Sequence, residues 1–347
     1  MPADFETCLA DLDSRLDDTQ EQAIRDEWRL FLAGQWDQDT FKPSARRPAP
    51  SKVDWPDIHI NDAVQDVDLM VLSELSGVSH TLACGGNDAL NVRSNYGTGI
   101  MPLMFGCEWF IMPRETDTLP TAVPLHSADA VRKLVDAGVP DVRTGLGARV
   151  FDTAERFLEV FERFPAIGRN VMLYHPDTQG PVDIAEMVWG SEMFCAFCDQ
   201  PDLVKQSLAF FTETYAAFHR KWFELAPVDV TLSPHWGFMQ TGGLMIRNDS
   251  LMNISSEMYV EFVRPFDQRL FDEFDGGAIH FCGRGDHFIE AMSEMDGLTG
   301  VNLSQPELND METVYRCTVD KGIQLLGLSE AAARDAHRPL HGLAHVV

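Results

Sequence analysis

Residues 276–286 read G-G-A-I-H-F-C-G-R-G-D. The apolar run that ends at position 282 predicts a buried strand, and the glycine that follows lets the chain turn away at once. Amphipathic patterns at 256–274 and 287–295 predict a helix on each side of this strand. Because residues i and i+2 of a strand point to the same face, we expect the side chains of His280 and Cys282 to converge.

The same alternation of strand and helix continues through most of the chain. Short apolar runs predict strands at 89–94, 108–112, 171–174, 228–232, 244–247, 300–303, 323–326 and 343–346. Amphipathic runs predict further helices at 153–164, 201–225 and 308–319. Alternation with short Gly- and Asp-rich joints is typical of a parallel sheet, and this many units favours an α/β fold of the closed (β/α)8 barrel type. An open doubly wound sheet is the competitor, but no G-x-G-x-x-G follows an early strand.

The first sixty residues have a different pattern. Leucines at helical spacing predict helices over 1–36, and four prolines between 41 and 56 predict an extended linker. A helical pattern returns at 58–82. We therefore predict a helical extension with a Pro-rich linker over 1–60 and a barrel over 61–347.

The net charge is the most unusual feature of the composition. The chain has 54 Asp and Glu against 27 Lys and Arg, a formal charge of −27, which would repel nucleic acids and anionic membranes. No stretch reaches the roughly 20 apolar residues of a membrane span, and the N-terminus lacks a signal segment. Seven cysteines, an odd number in a long chain, are typical of reduced thiols, so we predict a cytoplasmic protein.

Polar residues follow the predicted strands, where the chemistry of a barrel gathers. We predict catalytic roles for Asp177, His235, Arg93 and Arg247. We predict contacts with a small-molecule substrate for Asn95, Tyr96, Gln179, Asn248, Asp249, Asn302 and Gln305. A structural barrel has no need of so many polar groups at one rim.

The pair formed by His280 and Cys282 supplies two of the ligand types that zinc prefers. A catalytic zinc site needs a third protein ligand, and His345, at the end of the last predicted strand, is the candidate that we favour. Three other residues stay open for this position: His235, Asp177 and Cys317. A metal-free site in which His280 acts as acid or base is also open.

Four stretches, in order along the chain, resemble the uroporphyrinogen decarboxylase superfamily. They are 92–106, 175–190 (H-P-D-T-Q-G-P-V-D-I-A-E-M-V-W-G), 247–266 and 277–283 (G-A-I-H-F-C-G). The resemblance covers the chain from about residue 85 to its end, and it implies the barrel. Two branches are implied: the cofactor-free decarboxylase, and zinc methyltransferases that pass methyl groups between small substrates, corrinoid cobalt and thiols.

This sequence departs from both branches. The R-Q-A-G-R-Y signature of the decarboxylase is missing. The His-x-Cys of the methyltransferases is present at His280 and Cys282, but no cysteine follows Cys317. The resemblance is therefore closer to the methyltransferase branch, and it implies zinc as cofactor, a corrinoid protein as partner and methyl acceptor, and association as a homodimer.

Three functions are consistent with these observations. We favour a zinc-dependent methyltransferase that moves a methyl group from a small methylated substrate to a corrinoid protein or a thiol. A metal-free decarboxylase or lyase of an acidic, tetrapyrrole-like substrate is the alternative, with Asp177 holding a developing cation and Arg93 and Arg247 seating carboxylates. A non-catalytic barrel that binds a tetrapyrrole or corrinoid is the third.

Overall fold

The strand that carries His280 lies inside a parallel sheet. The computed structural model describes residues 4–347, and within them the strands are β1 (Thr40–Phe41), β2 (Asn91–Val92), β3 (Glu108–Phe110), β4 (Thr121–Val123), β5 (Met172–Leu173), β6 (Ser233–His235), β7 (Phe238–Gln240), β8 (Leu244–Arg247), β9 (Gly277–Phe281), β10 (Leu298–Leu303), β11 (Gln324–Leu328) and β12 (Ala344–Val346). Six of these form one sheet in the order β1-β12-β11-β10-β9-β8, and all its pairs are parallel.

The register of this sheet places three polar residues side by side. On β9, His280 is paired with Arg247 on β8 and with Asn302 on β10. All five residues of β9 and all four of β8 are buried. Because parallel strands end at the same edge of a sheet, the residues that follow β8, β9 and β10 meet there.

From β5 onwards, helices lie between most successive strands, with β6, β7 and β8 following one another directly. Over the same described residues they are α1 (Phe5–Arg15), α2 (Asp18–Leu32), α3 (Ile60–Ala63), α4 (Val67–Cys84), α5 (Ile100–Met104), α6 (Ala128–Ala137), α7 (Leu146–Arg163), α8 (Pro165–Asn170), α9 (Pro181–Trp189), α10 (Met193–Asp199), α11 (Pro201–Leu225), α12 (Ser256–Met258), α13 (Arg264–Glu273), α14 (Ile289–Met292), α15 (Met311–Cys317) and α16 (Glu330–Arg334). The longest, α11, begins with a proline, which fits the first turn because its N–H would have no partner there. Its buried aromatic face packs against α9 and α13.

The remaining strands form three separate pairs. A second parallel ladder joins β2 to β5, whereas β3 with β4 and β6 with β7 are antiparallel. Across residues 4–347, no strand ladder joins the β2–β5 pair to the six-stranded sheet. The structure therefore confirms an α/β fold with a parallel sheet, and closure into an eight-stranded barrel stays a prediction.

The N-terminal segment packs directly on the sheet. Residues 1–3 of the predicted helical region lie outside the described part, and α1 and α2 cover most of the rest. Strand β1, inside the predicted linker, pairs with β12. Arg46, also in that linker, is buried and forms a two-pronged ion pair with Glu21, at 2.6 Å from Nε and 2.7 Å from Nη2.

Two element predictions were wrong. The segment 228–232 is a turn, and the strand follows it as β6. The predicted helix over 256–274 is interrupted by a π-helical turn at Tyr259–Val263. Pro265 explains that interruption, because it has no N–H to donate to the carbonyl four residues earlier. In the described part of the chain, no helix combines the length and the apolar character needed to cross a membrane.

Candidate functional site

His280 and Cys282 converge as the period of a strand predicts. The Sγ atom of Cys282 lies 3.5 Å from Nε2 of His280. Cys282 comes directly after β9 and is half-buried, and its Sγ also lies 3.4 Å from the hydroxyl of Ser304, which follows β10. The imidazole is 5% exposed. This part of the edge therefore brings a nitrogen and a sulfur to one point.

Asp249 adds an oxygen to the pair. It follows β8, and its Oδ1 lies 3.3 Å from Nε2 of His280. One ligand atom from each of Asp249, His280 and Cys282 lies within 4.8 Å of the other two, an arrangement that could hold a metal ion. The sequence predicts Asp249 as a substrate contact, and the structure places its carboxylate beside His280 and Cys282. We refer to these three residues as the Asp-His-Cys cluster.

The imidazole is oriented by Asn302. The side-chain amide of Asn302 donates from Nδ2 to the carbonyl of Leu326 at 2.5 Å, so its Oδ1 faces Nδ1 of His280, also at 2.5 Å. Nδ1 must then carry the proton, and Nε2 presents its lone pair to the cluster. A hydrogen bond of this kind on the remote nitrogen is typical of metal-binding histidines.

Two side chains hold Asp249 in place. Gln179 donates to its Oδ2 at 3.1 Å, and the backbone N–H groups of Asp249 and Ser250 donate to the Asp183 carboxylate at 2.7 and 2.8 Å. Burial, together with the charge of Asp249, raises the pKa of Asp183. For Asp249, burial opposes ionisation, but the adjacent side chain of His280 outweighs burial and lowers the pKa. The cluster therefore presents a carboxylate at neutral pH.

The thiol of Cys282 is protonated when no cation is near it. Burial, together with the nearby carboxylates, raises its pKa to about 11. A divalent cation reverses this balance, because it stabilises the thiolate and offsets the carboxylate charge. The carboxylate, imidazole and thiol of the cluster are thus suited to bind a cation.

A second charged group lies on the same side of the sheet. Asp177 forms ion pairs with Arg93, 2.6 Å from Nη1, and with Nη2 of Arg247. Burial opposes ionisation of Asp177, but the two guanidinium groups lower its pKa. The pKa of Arg93 is raised: burial acts against its charge, and Asp177 outweighs burial. Asp177 therefore contacts two of the other three predicted catalytic residues.

The fourth, His235, joins this group through Arg247. Nη2 of Arg247 lies 2.9 Å from Nε2 of His235, which is fully buried at the end of β6. Burial and the charge of Arg247 lower the pKa of His235 well below its usual value, so the ring is neutral and accepts this hydrogen bond. The structure does not bring His235 or Asp177 into the Asp-His-Cys cluster.

Trp236 contacts both groups. The guanidinium carbon of Arg247 lies 4.2 Å from the centre of the Trp236 ring, and the ring of His280 lies 4.9 Å from it at 88°. Trp236 and Asp183 were not among the site residues predicted from the sequence. The only signal for them was their position just after strands, on a loop or at the start of a helix.

The predicted substrate contacts fall into different settings. Asn95 donates to Glu74 at 2.9 Å, and Gln305 accepts from the N–H of Gly283 at 2.6 Å, next to Cys282. Asn248 is fully buried and donates to Asp267 at 2.7 Å. Tyr96 is also fully buried, and its hydroxyl is 2.7 Å from Thr153 on α7. Tyr96 and Asn248 therefore support the core, and the structure gives no support for their predicted contact with substrate.

His345 does not lie in the Asp-His-Cys cluster. It packs against the rings of Trp28, Phe31 and Phe41, and its Nδ1 accepts from the N–H of Gly327 at 3.1 Å. Burial lowers its pKa to about 3. The aromatic residues of the N-terminal segment surround this side chain, so the third position in the cluster goes to Asp249. Cys317, at the end of α15, is buried in the core.

A cavity of about 500 Å³ opens beside the cluster. It lies between the segments that follow β10 and β11, and Ser304, the neighbour of Cys282, is part of its wall. The rest of the wall is mixed: it includes the apolar residues Leu303 and Met311, the ring of Tyr315, and the carboxylates of Glu307 and Asp335. Ser304 therefore lies in the wall of this cavity and also contacts the Sγ atom of Cys282.

Comparison with known proteins adds a likeness in fold. No protein-family model and no curated protein sequence matches the chain. Among solved structures, a methyltransferase from Methanosarcina mazei is similar, with a TM-score of 0.64 and 16% sequence identity. The match covers 93% of this chain and 92% of that one. A likeness at this identity concerns the fold, and it extends over nearly the whole of both chains.

Proposed function

We propose that this protein is a zinc-dependent methyltransferase with a closed barrel of the uroporphyrinogen decarboxylase type. One observation carries the proposal: Asp249, His280 and Cys282 bring an oxygen, a nitrogen and a sulfur within 4.8 Å of one another at the carboxyl edge of the sheet. The likeness in fold to a protein named as a methyltransferase supports it.

The three residues fit zinc in number and in kind. Catalytic zinc sites use three protein ligands and keep a fourth position open, and carboxylate, imidazole and thiolate are all zinc ligands. Oδ1 of Asp249 has no hydrogen-bond partner within residues 4–347 and faces the lone pair of His280 Nε2. These atoms would hold the ion, with Asn302 fixing the imidazole and Asp183 fixing the backbone at Asp249.

Bound zinc would supply a Lewis acid that polarises the heteroatom of a methylated substrate, or that keeps an accepting thiol ionised. The chain itself does the remaining work. Ser304 contacts the cysteine ligand, and the apolar residues of the neighbouring cavity, Leu303 and Met311 among them, would contact a small methyl compound. We propose a corrinoid protein or a thiol as the methyl acceptor.

The metal content of the purified protein tests the proposal. We expect about one zinc per chain after zinc loading and dialysis, with one sulfur and three lighter ligands by X-ray absorption. Asp249→Ala and Cys282→Ala should each lose the bound zinc. Cys84→Ala, which removes an exposed thiol on α4, is the matched control and should keep it.

Two results would overturn the zinc site. One is wild-type protein that holds no metal after loading. The other is Cys282→Ala protein that retains zinc with the same spectrum. A protein without metal whose activity survives chelation would instead support the metal-free lyase.

A further inference from the structure

Arg247 has more hydrogen-bond donors than the chain uses. Its side chain is 2% exposed at the end of β8, and Nη2 makes its contacts to Asp177 and His235. Its Nε and Nη1 atoms are buried, and neither has an acceptor among residues 4–347. Buried N–H groups of a charged side chain are costly to leave unpaired. An arginine serving only to fix Asp177 would not need this arrangement.

Two neighbouring side chains also have a buried hydrogen-bond donor without an acceptor. Nε of Arg93 is buried without an acceptor in the described chain, as is Nδ1 of His235. Because Nε2 of His235 accepts from Arg247, its Nδ1 must carry the proton and is a donor. Two guanidinium groups thus contact the carboxylate of Asp177, and the imidazole of His235 contacts one of them. The group as a whole can accept a further anion.

This group is connected to solvent and to the proposed zinc site. Arg93 and Asp177 keep 14% and 11% of their side-chain surface exposed. Trp236 contacts Arg247 on one side and His280 on the other. A second cavity, of about 350 Å³, borders Trp236 and Glu74, and Glu74 accepts from the backbone N–H of Arg93. One indole ring therefore contacts both Arg247 and His280.

We propose that Arg247, Arg93 and His235 bind the anionic group of the substrate, a carboxylate or a similar oxyanion. The substrate would then be a small acid that carries a methyl group on a heteroatom. Its charged end would lie at the arginines, and its methyl-bearing end would lie at the Asp-His-Cys cluster. The position of the methyl end rests on the proposed function, whereas the anion site stands on the arginines alone. Arginine suits this role because its planar donors match a carboxylate.

Metal-free full-length protein separates the two proposals. We would treat the protein with chelator and titrate it with methoxyacetate, and with methoxyacetamide as the neutral probe of the same shape, at constant ionic strength by calorimetry. We expect saturable binding of methoxyacetate and at least about tenfold weaker binding of methoxyacetamide. Zinc content is measured on the same preparations before chelation, so failure of the zinc site and failure of the anion site are distinguishable.

Four variants sharpen the test. Arg247→Met should weaken methoxyacetate binding at least about tenfold, and Arg247→Lys should recover part of it. Asp177→Asn should tighten binding at least about tenfold, because it removes the internal competitor for both guanidinium groups. Arg220→Met, at an exposed ion pair on α11, is the control and should bind as the wild type does.

The proposal fails if the acid and its amide bind equally, or if neither binds to wild type and to Asp177→Asn. It also fails if folded Arg247→Met keeps the wild-type affinity. Should Arg247→Met not fold, Asp177→Asn decides alone: tighter binding supports the anion site, and unchanged binding refutes it.

Discussion

Asp267 is a buried carboxylate on α13 that accepts a hydrogen bond from Asn248, the residue next to Asp249. Its ionisation should destabilise the folded protein at neutral pH. Its side chain is fully buried, with one hydrogen bond from Asn248 and no partner for Oδ1 in the part of the chain that the structure describes. Burial raises its pKa from 3.8 to about 7. The folded protein therefore holds a proton at pH 5 to 6 that the unfolded chain has already released.

The sign of the effect follows from proton binding. Between pH 3.8 and 7 the unfolded chain binds fewer protons at this position than the folded one, so stability falls as pH rises. The free energy of unfolding loses about 2–3 kcal/mol between pH 5 and pH 8 from this group, since each pKa unit is worth about 1.4 kcal/mol. The loss is complete above pH 7, where both states are ionised.

Asp267→Asn removes this ionisation and keeps the size of the side chain. The free energy of unfolding of the variant, relative to that of wild type, should rise by about 2–3 kcal/mol from pH 5 to pH 8. Urea unfolding at both pH values measures this difference. Asp272→Asn, at an exposed carboxylate on the same helix, is the matched control. A difference between Asp267→Asn and wild type that is the same at both pH values would refute the reasoning.

Two further changes test the packing of the N-terminal segment. His345 has its pKa lowered to about 3 by burial, so the unfolded chain binds more protons below pH 6.5 and stability falls as pH falls. Through His345, wild type should lose about 2 kcal/mol of its free energy of unfolding between pH 8 and pH 5, and His345→Phe should not show this loss. A variant with the same pH profile as wild type in urea unfolding would contradict this. Arg46→Met leaves the Glu21 carboxylate buried and unpaired and should cost about 3–5 kcal/mol in the same assay. Arg46→Met with Glu21→Leu should recover most of that loss, and a double variant no more stable than Arg46→Met alone would show that the charge pair is not the cause.

The parts of the site that lie along one strand could be predicted from the sequence. The period of two brings His280 and Cys282 together, and an apolar run bounded by glycines is enough to place β9. Similarly, the bounds of α11 and β8 follow from the proline at the start of one and the short apolar run of the other. These are local signals, and packing does not have to be known to read them.

The third member of the cluster could not be predicted in this way. Asp249 reaches His280 because β8 lies beside β9 in register, with Arg247 opposite His280. Strand order and register come from tertiary packing, so sequence position alone favoured His345 as the third ligand and left Asp249 among the predicted substrate contacts. The aromatic residues of α2 and β1, which surround His345, are about 300 positions away from it in the chain. No local pattern shows a contact of that separation.

Trp236 connects the two halves of the site at a cost in backbone energy. It occupies, with Gly237, the two-residue turn between β6 and β7, and both residues have positive φ, 45° and 83°. Such hairpin turns favour Asn-Gly, because a bulky residue at positive φ costs on the order of 1–2 kcal/mol. A tryptophan here is explained by what its ring contacts: Arg247 on one side and His280 on the other. Strain of this kind persists where the surroundings require it, which is often at a binding site. We therefore expect an anion bound at Arg247 to affect His280 partly through the indole, so zinc affinity should depend on methoxyacetate less strongly in Trp236→Gly than in wild type.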